Sequence, residues 1–160
     1  MKRLVLLTIT LSLFAIAVQA QDRAVTHGAV CRISEYRIKP DKAQEHMKFL
    51  REHRVQVLAE QKQQGLILDF KFFHNDATSG PNETQFVEAV CYRNYNDALD
   101  SGSNEERQQK LRDIVIKHYG SIENAQKAGE QFRATRDLVR GYVLHEMTIH
   151  PAKPAAGSGN

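Results

Sequence analysis

The segment Val30-Cys31-Arg32-Ile33-Ser34-Glu35-Tyr36-Arg37-Ile38, continued by Lys39-Pro40-Asp41, decides the fold of this chain. Its apolar and polar residues alternate, which is typical of a β-strand whose two faces have different surroundings. The proline that follows suits the first turn of a helix, because its missing N–H has no partner there and its φ is already helical. The segment therefore predicts a strand over 30–38 that leads directly into a helix.

Outward from this segment, apolar residues recur at three- and four-residue steps over 42–64, and Gly65 supplies the stop of a helix. Asn104 and Ser121 have side chains that commonly cap helix starts, and they predict two later helices, the second reaching about Val139. The other predicted elements are strands at 66–73, 84–92 and 141–149, a loop at 74–82 and a short helical turn at 94–100.

The element order is β-α-β-β-α-α-β, which predicts an α+β domain of the ferredoxin-like, split βαβ type. The crossovers of this fold place the helices on one face of a four-stranded antiparallel sheet and leave the other face open. An open and partly apolar face needs cover, and a second copy of the same sheet supplies it. We therefore expect a homodimer in which two sheets pair face to face as a barrel.

Residues 1–20 have the three parts of a secretory signal peptide: the basic pair Lys2-Arg3, a charge-free stretch, and small residues at −3 and −1 before Gln21. The charge-free stretch, 4–18, is shorter than the ~20 residues that a membrane-spanning helix needs. We expect an exported protein, periplasmic or secreted, without a membrane span. In it, 21–29 would form a flexible leader, 30–150 a single α+β domain, and 151–160 a disordered tail.

Composition narrows the classes of partner. The formal net charge of +3 falls to +1 once residues 1–20 are removed, because 20 Lys and Arg then face 19 Asp and Glu. Nucleic-acid binding needs a concentrated basic face, so nucleic acid is not the expected partner. The chain has no Gly-rich phosphate loop, and its seven histidines lack metal-ligand spacing, since His46 and His53 are seven apart and His145 and His150 five apart. We expect neither a cofactor nor a metal.

The run 35–41, the helix after it and Gly65 resemble a pattern of the dimeric α/β-barrel superfamily, in which Y-x-V-K-P-G leads into a helix, a glycine and a strand. Asp41 stands here where glycine is usual. Phe86-Val87-Glu88-Ala89-Val90, with Tyr95, Ala98 and Leu99, resembles the third strand and short helix of that superfamily. The likeness covers most of 30–149 and includes NIPSNAP-like, stress-response and antibiotic-biosynthesis-monooxygenase-type barrels. It implies a dimer and a pocket but selects no chemistry.

Two cysteines in an exported chain favour a disulfide. In the split βαβ fold the first and third strands are antiparallel neighbours, so Cys31 near the start of one strand can meet Cys91 near the end of the other. The bond would stabilise the fold by roughly 4 kcal/mol in the chain-entropy model, and two buried free thiols are the alternative. The same register sets Ile33 opposite Ala89 and Tyr36 opposite Phe86.

Strand alternation sorts the side chains into two faces. The set expected to face the helices is Cys31, Ile33, Val87, Ala89 and Cys91, with Val143, Met147 and Ile149 from the last strand. The set expected on the open face is Arg32, Ser34, Tyr36, Phe86, Glu88, Val90 and Tyr92, with Tyr142, Leu144, Glu146 and Thr148. A ligand pocket there would be lined by Ser34, Tyr36, Phe86, Tyr92 and Tyr142.

Four polar residues are the candidates for catalysis: Glu88, Glu146, Arg32 and His145. Two carboxylates beside an arginine perform acid–base work when burial raises the pKa of one of them, and interface salt bridges are the alternative. His145 is expected on the helix side, where it is either a hydrogen-bonded core histidine or a catalytic base.

No nucleophile–base–acid set can be read from the sequence, so the favoured function is non-catalytic: an exported dimer that binds a small apolar or aromatic molecule in its barrel. The first alternative is a cofactor-independent monooxygenase, cyclase or isomerase that uses polar residues of the open sheet face. The second is a structural or interaction dimer whose open face is filled by packing.

Overall fold

The computed structural model describes residues 24–76, 80, 83–99 and 104–151. The predicted signal peptide over 1–20 and all but the first residue of the predicted tail over 151–160 lie outside these residues. The chain divides into two compact units. The larger is 28–146, and the smaller has 24–27 and 147–151 as its described parts.

A four-stranded antiparallel sheet is the centre of the fold. Its strands are β1 (Val25–Ile38), β2 (Asp69–His74), β3 (Phe86–Tyr92) and β4 (Arg136–Ile149), in the order β2-β3-β1-β4. β3 runs antiparallel to both β1 and β2. This order is compatible with the predicted split βαβ arrangement, and the α+β class is confirmed.

The helices fall between β1 and β2 and between β3 and β4. The first crossover contains α1 (Ala43–Phe49), a π-helical segment (Leu50–Arg54) and α2 (Val55–Gln63), and the second contains α3 (Tyr95–Leu99), α4 (Glu105–Tyr119) and α5 (Ile122–Ala134). Asn104 Oδ1 accepts from Arg107 N at 2.9 Å and Ser121 Oγ accepts from Asn124 N at 3.1 Å, so both predicted caps are confirmed.

Several predicted boundaries are wrong, including the starts of β2, β3 and β4, which lie at Asp69, Phe86 and Arg136 instead of 66, 84 and 141. α5 ends at Ala134 instead of near Val139, because Thr135 donates its hydroxyl to Phe132 O at 2.7 Å and accepts Lys39 N on its carbonyl at 3.0 Å, which ties the chain to the end of β1. β1 begins at Val25, so the predicted flexible leader over 21–29 overlaps a strand.

The disulfide and its register are confirmed. Cys31 and Cys91 lie opposite each other in the β1–β3 ladder and are bonded. The central pair of strands is therefore cross-linked. The predicted partners also stand opposite each other, Ile33 with Ala89 and Tyr36 with Phe86.

The predicted assignment of the two central strands to faces is inverted. Phe86 is buried against Leu50 and Phe132 of the helices, and Val90 against Leu58. Because β1 residues opposite Phe86 and Val90 share their face, the helix side carries the even-numbered residues and the disulfide lies on the other side. The physical reason is area, since the large rings bury more apolar surface than Cys, Ala and Ile.

The smaller unit is a pair of strand ends. His150 N donates to Ala24 O at 2.9 Å, and Thr26 Oγ1 lies 3.2 Å from His150 Nε2. Met147 is 54% exposed and Ile149 70% exposed, so the prediction that these two side chains lie inside the fold is wrong.

Candidate functional site

The helix that follows β1 changes its geometry in the middle. Between α1 and α2 the π-helical segment has a wider turn than an α-helix, and such segments are frequent at functional sites. Leu50, at its start, is buried in the core, and Arg54, at its end, reaches the sheet. The side chains beneath this segment form the candidate site.

Arg54 makes a two-point ion pair with Glu88 of β3. Its Nε lies 3.2 Å from Glu88 Oε2 and its Nη2 lies 2.5 Å from Oε1. The Glu88 side chain is 6% exposed and the Arg54 side chain 33% exposed. Burial, the largest influence, works to lower the pKa of Arg54, but the charge and hydrogen bonds of Glu88 outweigh it and the pKa is raised. The pair is therefore a fixed counter-ion arrangement inside the fold.

His46 of α1 is almost fully buried beside this pair. Its Nδ1 lies 3.0 Å from Thr135 Oγ1, and the Thr135 hydroxyl already donates to Phe132 O. Nδ1 must therefore carry the proton and donate, which leaves Nε2 as a bare acceptor with no hydrogen-bond partner among the described residues. Burial, and then the charge of Arg136, lower the pKa of His46 to about 4, so the ring is neutral at pH 7.

Aromatic rings and one guanidinium form a continuous stack between β1 and α4. The Phe49 and Phe132 rings are 4.1 Å apart and nearly parallel, and His53 joins Phe49 at 5.0 Å and Tyr119 at 5.3 Å. At the other end Arg136 Cζ lies 3.8 Å from the Phe132 centroid and 3.6 Å from the Tyr36 centroid. We call this stack the aromatic column: Tyr36, Arg136, Phe132, Phe49, His53 and Tyr119.

Arg136 adds a second positive charge to the interior. Its pKa is lowered, chiefly by burial, although Tyr36 and Glu88 act in the opposite direction. Its Nη1 is buried and finds no hydrogen-bond acceptor within the described ranges. With His46 neutral, the charges of two guanidinium groups, Arg54 and Arg136, both act on the one carboxylate of Glu88.

A cavity of about 210 Å³ opens beside the aromatic column. Its deeper wall consists of Phe49, His53, Phe132 and Thr135, the first three of which belong to the column. Its exposed rim consists of charged and polar side chains, namely Glu45, Lys48, Glu52 and Gln131. An apolar floor with a polar rim is the ordinary character of a small-molecule site.

The predicted pocket residues do not all come together. Tyr36 belongs to the column, Phe86 packs on Leu50 and Phe132, and Tyr92 packs near Leu58, all on the helix side of the sheet. Ser34 stands opposite Glu88 on that same side. Tyr142 lies elsewhere and donates its hydroxyl to Glu35 Oε1 at 2.8 Å.

The four catalytic candidates are also dispersed. Glu88 is held by Arg54, whereas the exposed Glu146 accepts from Ala29 N at 3.2 Å. Arg32 is exposed opposite Val90, and His145 makes an edge contact with the Tyr95 ring at 5.2 Å. Among the residues that the structure describes, Glu88, Glu146 and Arg32 do not contact one another, so the predicted acid–base set does not form.

The face opposite the helices has its own polar network, which sequence reasoning did not find. Glu35 accepts from Thr84 Oγ1 and Tyr142 Oη, each at 2.8 Å, and from Arg140 Nη2 at 3.3 Å. The Thr84 hydrogen bond, followed by that of Tyr142, lowers the pKa of Glu35, and the Glu35 contact raises the pKa of Tyr142. This network fixes the largely buried carboxylate on this face of the sheet and favours its ionised form.

Sequence reasoning also missed the residues that build the site itself. Arg54 could not be identified because the spacing of apolar residues predicts a regular helix and does not indicate the π-helical turn that directs Arg54 to the sheet. Arg136 and Thr135 could not be identified because the helix was predicted to continue through both positions. His46 carried a usable signal, since it lies four residues before Leu50 on a face of predicted apolar spacing.

Comparisons with known proteins give no assignment: neither a scan of protein-family models nor a search of curated proteins finds a match to this chain. In the described parts of the chain, no cluster of three or more His, Cys, Asp or Glu side chains could hold a metal ion. The helices described here include none that is long and apolar enough to cross a membrane.

Proposed function

We propose that this chain is an exported, homodimeric member of the dimeric α/β-barrel superfamily, with a ferredoxin-like fold, that binds a small aromatic or apolar molecule. The observation that carries the binding function is the cavity on the aromatic column. This placement revises the expected one, because the cavity lies among the helices and not on the open sheet face.

The size of the cavity indicates the size of the ligand. A dry protein cavity of about 150 Å³ holds a benzene molecule, so 210 Å³ suits one ring with a small substituent. Phe49 and Phe132 offer ring edges for edge-to-face contacts with a ligand ring, which add about 0.5–1.5 kcal/mol per aromatic pair beyond the burial of area.

The surroundings keep the cavity wall in place. Thr135 is hydrogen-bonded to His46 and to Phe132 O, and Phe132 is stacked between Phe49 and the Arg136 guanidinium. A wall that is already ordered loses little conformational entropy when a ligand binds. This rigidity supports binding more than it supports a chemical step, since Glu88 is held by Arg54 and is not available as a base.

The dimer is proposed from the face that the helices leave uncovered. The side of the sheet that bears the disulfide also exposes apolar surface, with Phe73 52% and Leu144 53% exposed. A second copy would cover this surface and give the paired-sheet barrel. Export is supported by the disulfide, which persists in oxidising compartments.

Native mass spectrometry of the chain without its predicted signal peptide, 1–20, tests both the dimer and the binding of a small molecule. We expect a mass of two chains, and a further mass increment in the presence of toluene or indole as probes. A monomer at micromolar concentration would contradict the dimer, and the absence of any bound probe would contradict the binding function.

A matched pair of variants locates the binding. Glu52→Trp places a large ring at the cavity rim and should abolish indole binding, as measured by saturation-transfer NMR. Gln56→Trp places the same ring one turn along the helix, outside this cavity, and should leave indole binding unchanged. Equal binding by both variants would show that the ligand binds elsewhere.

A further inference from the structure

A second cavity, of about 340 Å³, lies at the start of α4, apart from the aromatic column. In contrast to the first cavity, its wall is mainly polar, and its charged members come from β3, α3 and α4 or lie next to them. They are Arg93, Asp97, Glu106, Arg107 and Lys110.

Arg107 is the unusual member of this wall. It is only 9% exposed, yet it has no ion-pair partner among the described residues. A guanidinium has five N–H donors, and the structure pairs one nitrogen, with Nη2 donating to Asp97 O at 3.3 Å. Nε is buried and has no acceptor in the described part of the chain. A buried guanidinium without an ion-pair partner lowers the stability of the fold unless a counter-ion binds to it.

The other charges of the wall already have partners. Arg93 Nε lies 3.4 Å from Asp97 Oδ2, and Lys110 Nζ lies 2.7 Å from Glu106 Oε1. These two pairs cancel, so the cavity keeps the single positive charge of Arg107. The N-terminus of α4, a helix of 15 residues, adds the positive end of its dipole at the same place, where the first-turn carboxylates Glu105 and Glu106 oppose it in part.

We propose that this cavity binds a small oxyanion, a carboxylate or a phosphate group, against the Arg107 guanidinium. Two oxygens of such a group match the planar fork of arginine, which makes short paired hydrogen bonds to oxyanions. The Tyr92 ring centroid lies 5.9 Å from Arg107 Cζ, within the range of a cation–π contact. The site is independent of the cavity on the aromatic column.

An NMR titration of the chain without residues 1–20 and with the Cys31–Cys91 disulfide intact tests this site. Inorganic phosphate and, separately, acetate are added at constant ionic strength made up with chloride, and backbone amide shifts are followed. We expect saturable shifts of the amides of 104–107 with one or both anions. The tighter of the two identifies the group as phosphate or carboxylate. Shifts that stay linear, or that occur equally all over the surface, would overturn the proposal.

Three variants make the test specific. Arg107→Gln should weaken binding about tenfold or more, as expected for losing a charged hydrogen-bond donor. Gln64→Trp fills the cavity from an exposed position and should abolish binding with Arg107 intact, which keeps the test decisive if Arg107→Gln does not fold. Lys127→Gln removes a surface charge on α5 and should change nothing. Unchanged affinity in Gln64→Trp would refute the site.

Discussion

Replacing Arg54 with methionine leaves the Glu88 carboxylate inside the fold without its partner. The Glu88 side chain is 6% exposed, so water can hardly replace the hydrogen bonds that Arg54 donates to it. Removing one partner of a buried ion pair costs about 3–5 kcal/mol. The charge of Arg136 still acts on Glu88 in this variant, but it does not replace the two hydrogen bonds that Arg54 makes. Arg54→Met should therefore lose about 3–5 kcal/mol of unfolding free energy at pH 7.

The reverse substitution should cost less. In Glu88→Gln the remaining charge is on Arg54, which is 33% exposed and can turn its guanidinium toward solvent. We therefore discount the cost to about 1–3 kcal/mol. The expected order, with loss of arginine worse than loss of glutamate, follows from the unequal exposure of the two partners, and the repulsion that Glu88→Gln leaves between Arg54 and Arg136 acts against it.

Urea denaturation followed by circular dichroism measures both variants. Equal losses in the two variants, or a loss below 1 kcal/mol in Arg54→Met, would refute the assignment of Glu88 as a buried counter-ion.

Three further predictions concern His46, the disulfide and Thr135. The pKa of His46 is about 4 in the fold and near 6.5 in the unfolded chain, so the unfolded chain binds more protons between these two pH values. The free energy of unfolding should therefore fall by about 3 kcal/mol as the pH drops from 6.5 to 4. His46→Leu should flatten this part of a plot of stability against pH. The double variant Cys31→Ser/Cys91→Ser should unfold with about 4 kcal/mol less free energy, and a Tm unaffected by the substitutions would contradict a native bond. Thr135→Val removes the acceptor of His46 Nδ1 and should cost about 1–3 kcal/mol in denaturant titrations, whereas Thr84→Val, at a half-exposed hydroxyl, should cost less.

Features governed by local rules could be predicted from the sequence. The helix caps at Asn104 and Ser121 and the helix end at Gly65 each depend on a few neighbouring residues. The β1–β3 register depends on antiparallel pairing, in which the residue numbers of facing partners have a constant sum. The disulfide followed from that register once the strand order was assumed. These features needed no knowledge of how the helices pack.

The site could not be predicted in the same way, because it depends on packing between distant elements. Alternation alone cannot say which face of β3 receives the helices, and a charged Glu88 looks like a surface residue until Arg54 is known to cover it. The π turn that places Arg54, and the early end of α5 at Ala134, are settled by tertiary contacts of Thr135 and Leu50. Local propensity gives no signal for either.

The cross-link between the two central strands also determines how the chain comes apart when it is cut. Everything between Cys31 and Cys91, including α1, α2 and β2, is contained in one covalent loop, whereas α4, α5 and β4 lie beyond it. A protease that nicks the exposed turn at Asn75 therefore produces two pieces that stay joined until a reductant is added. A cut at the exposed Gly120, by contrast, leaves α5 and β4 attached to the rest of the fold by non-covalent contacts alone. After denaturation without a reductant, the first cut therefore still gives one covalent species, whereas the second gives two.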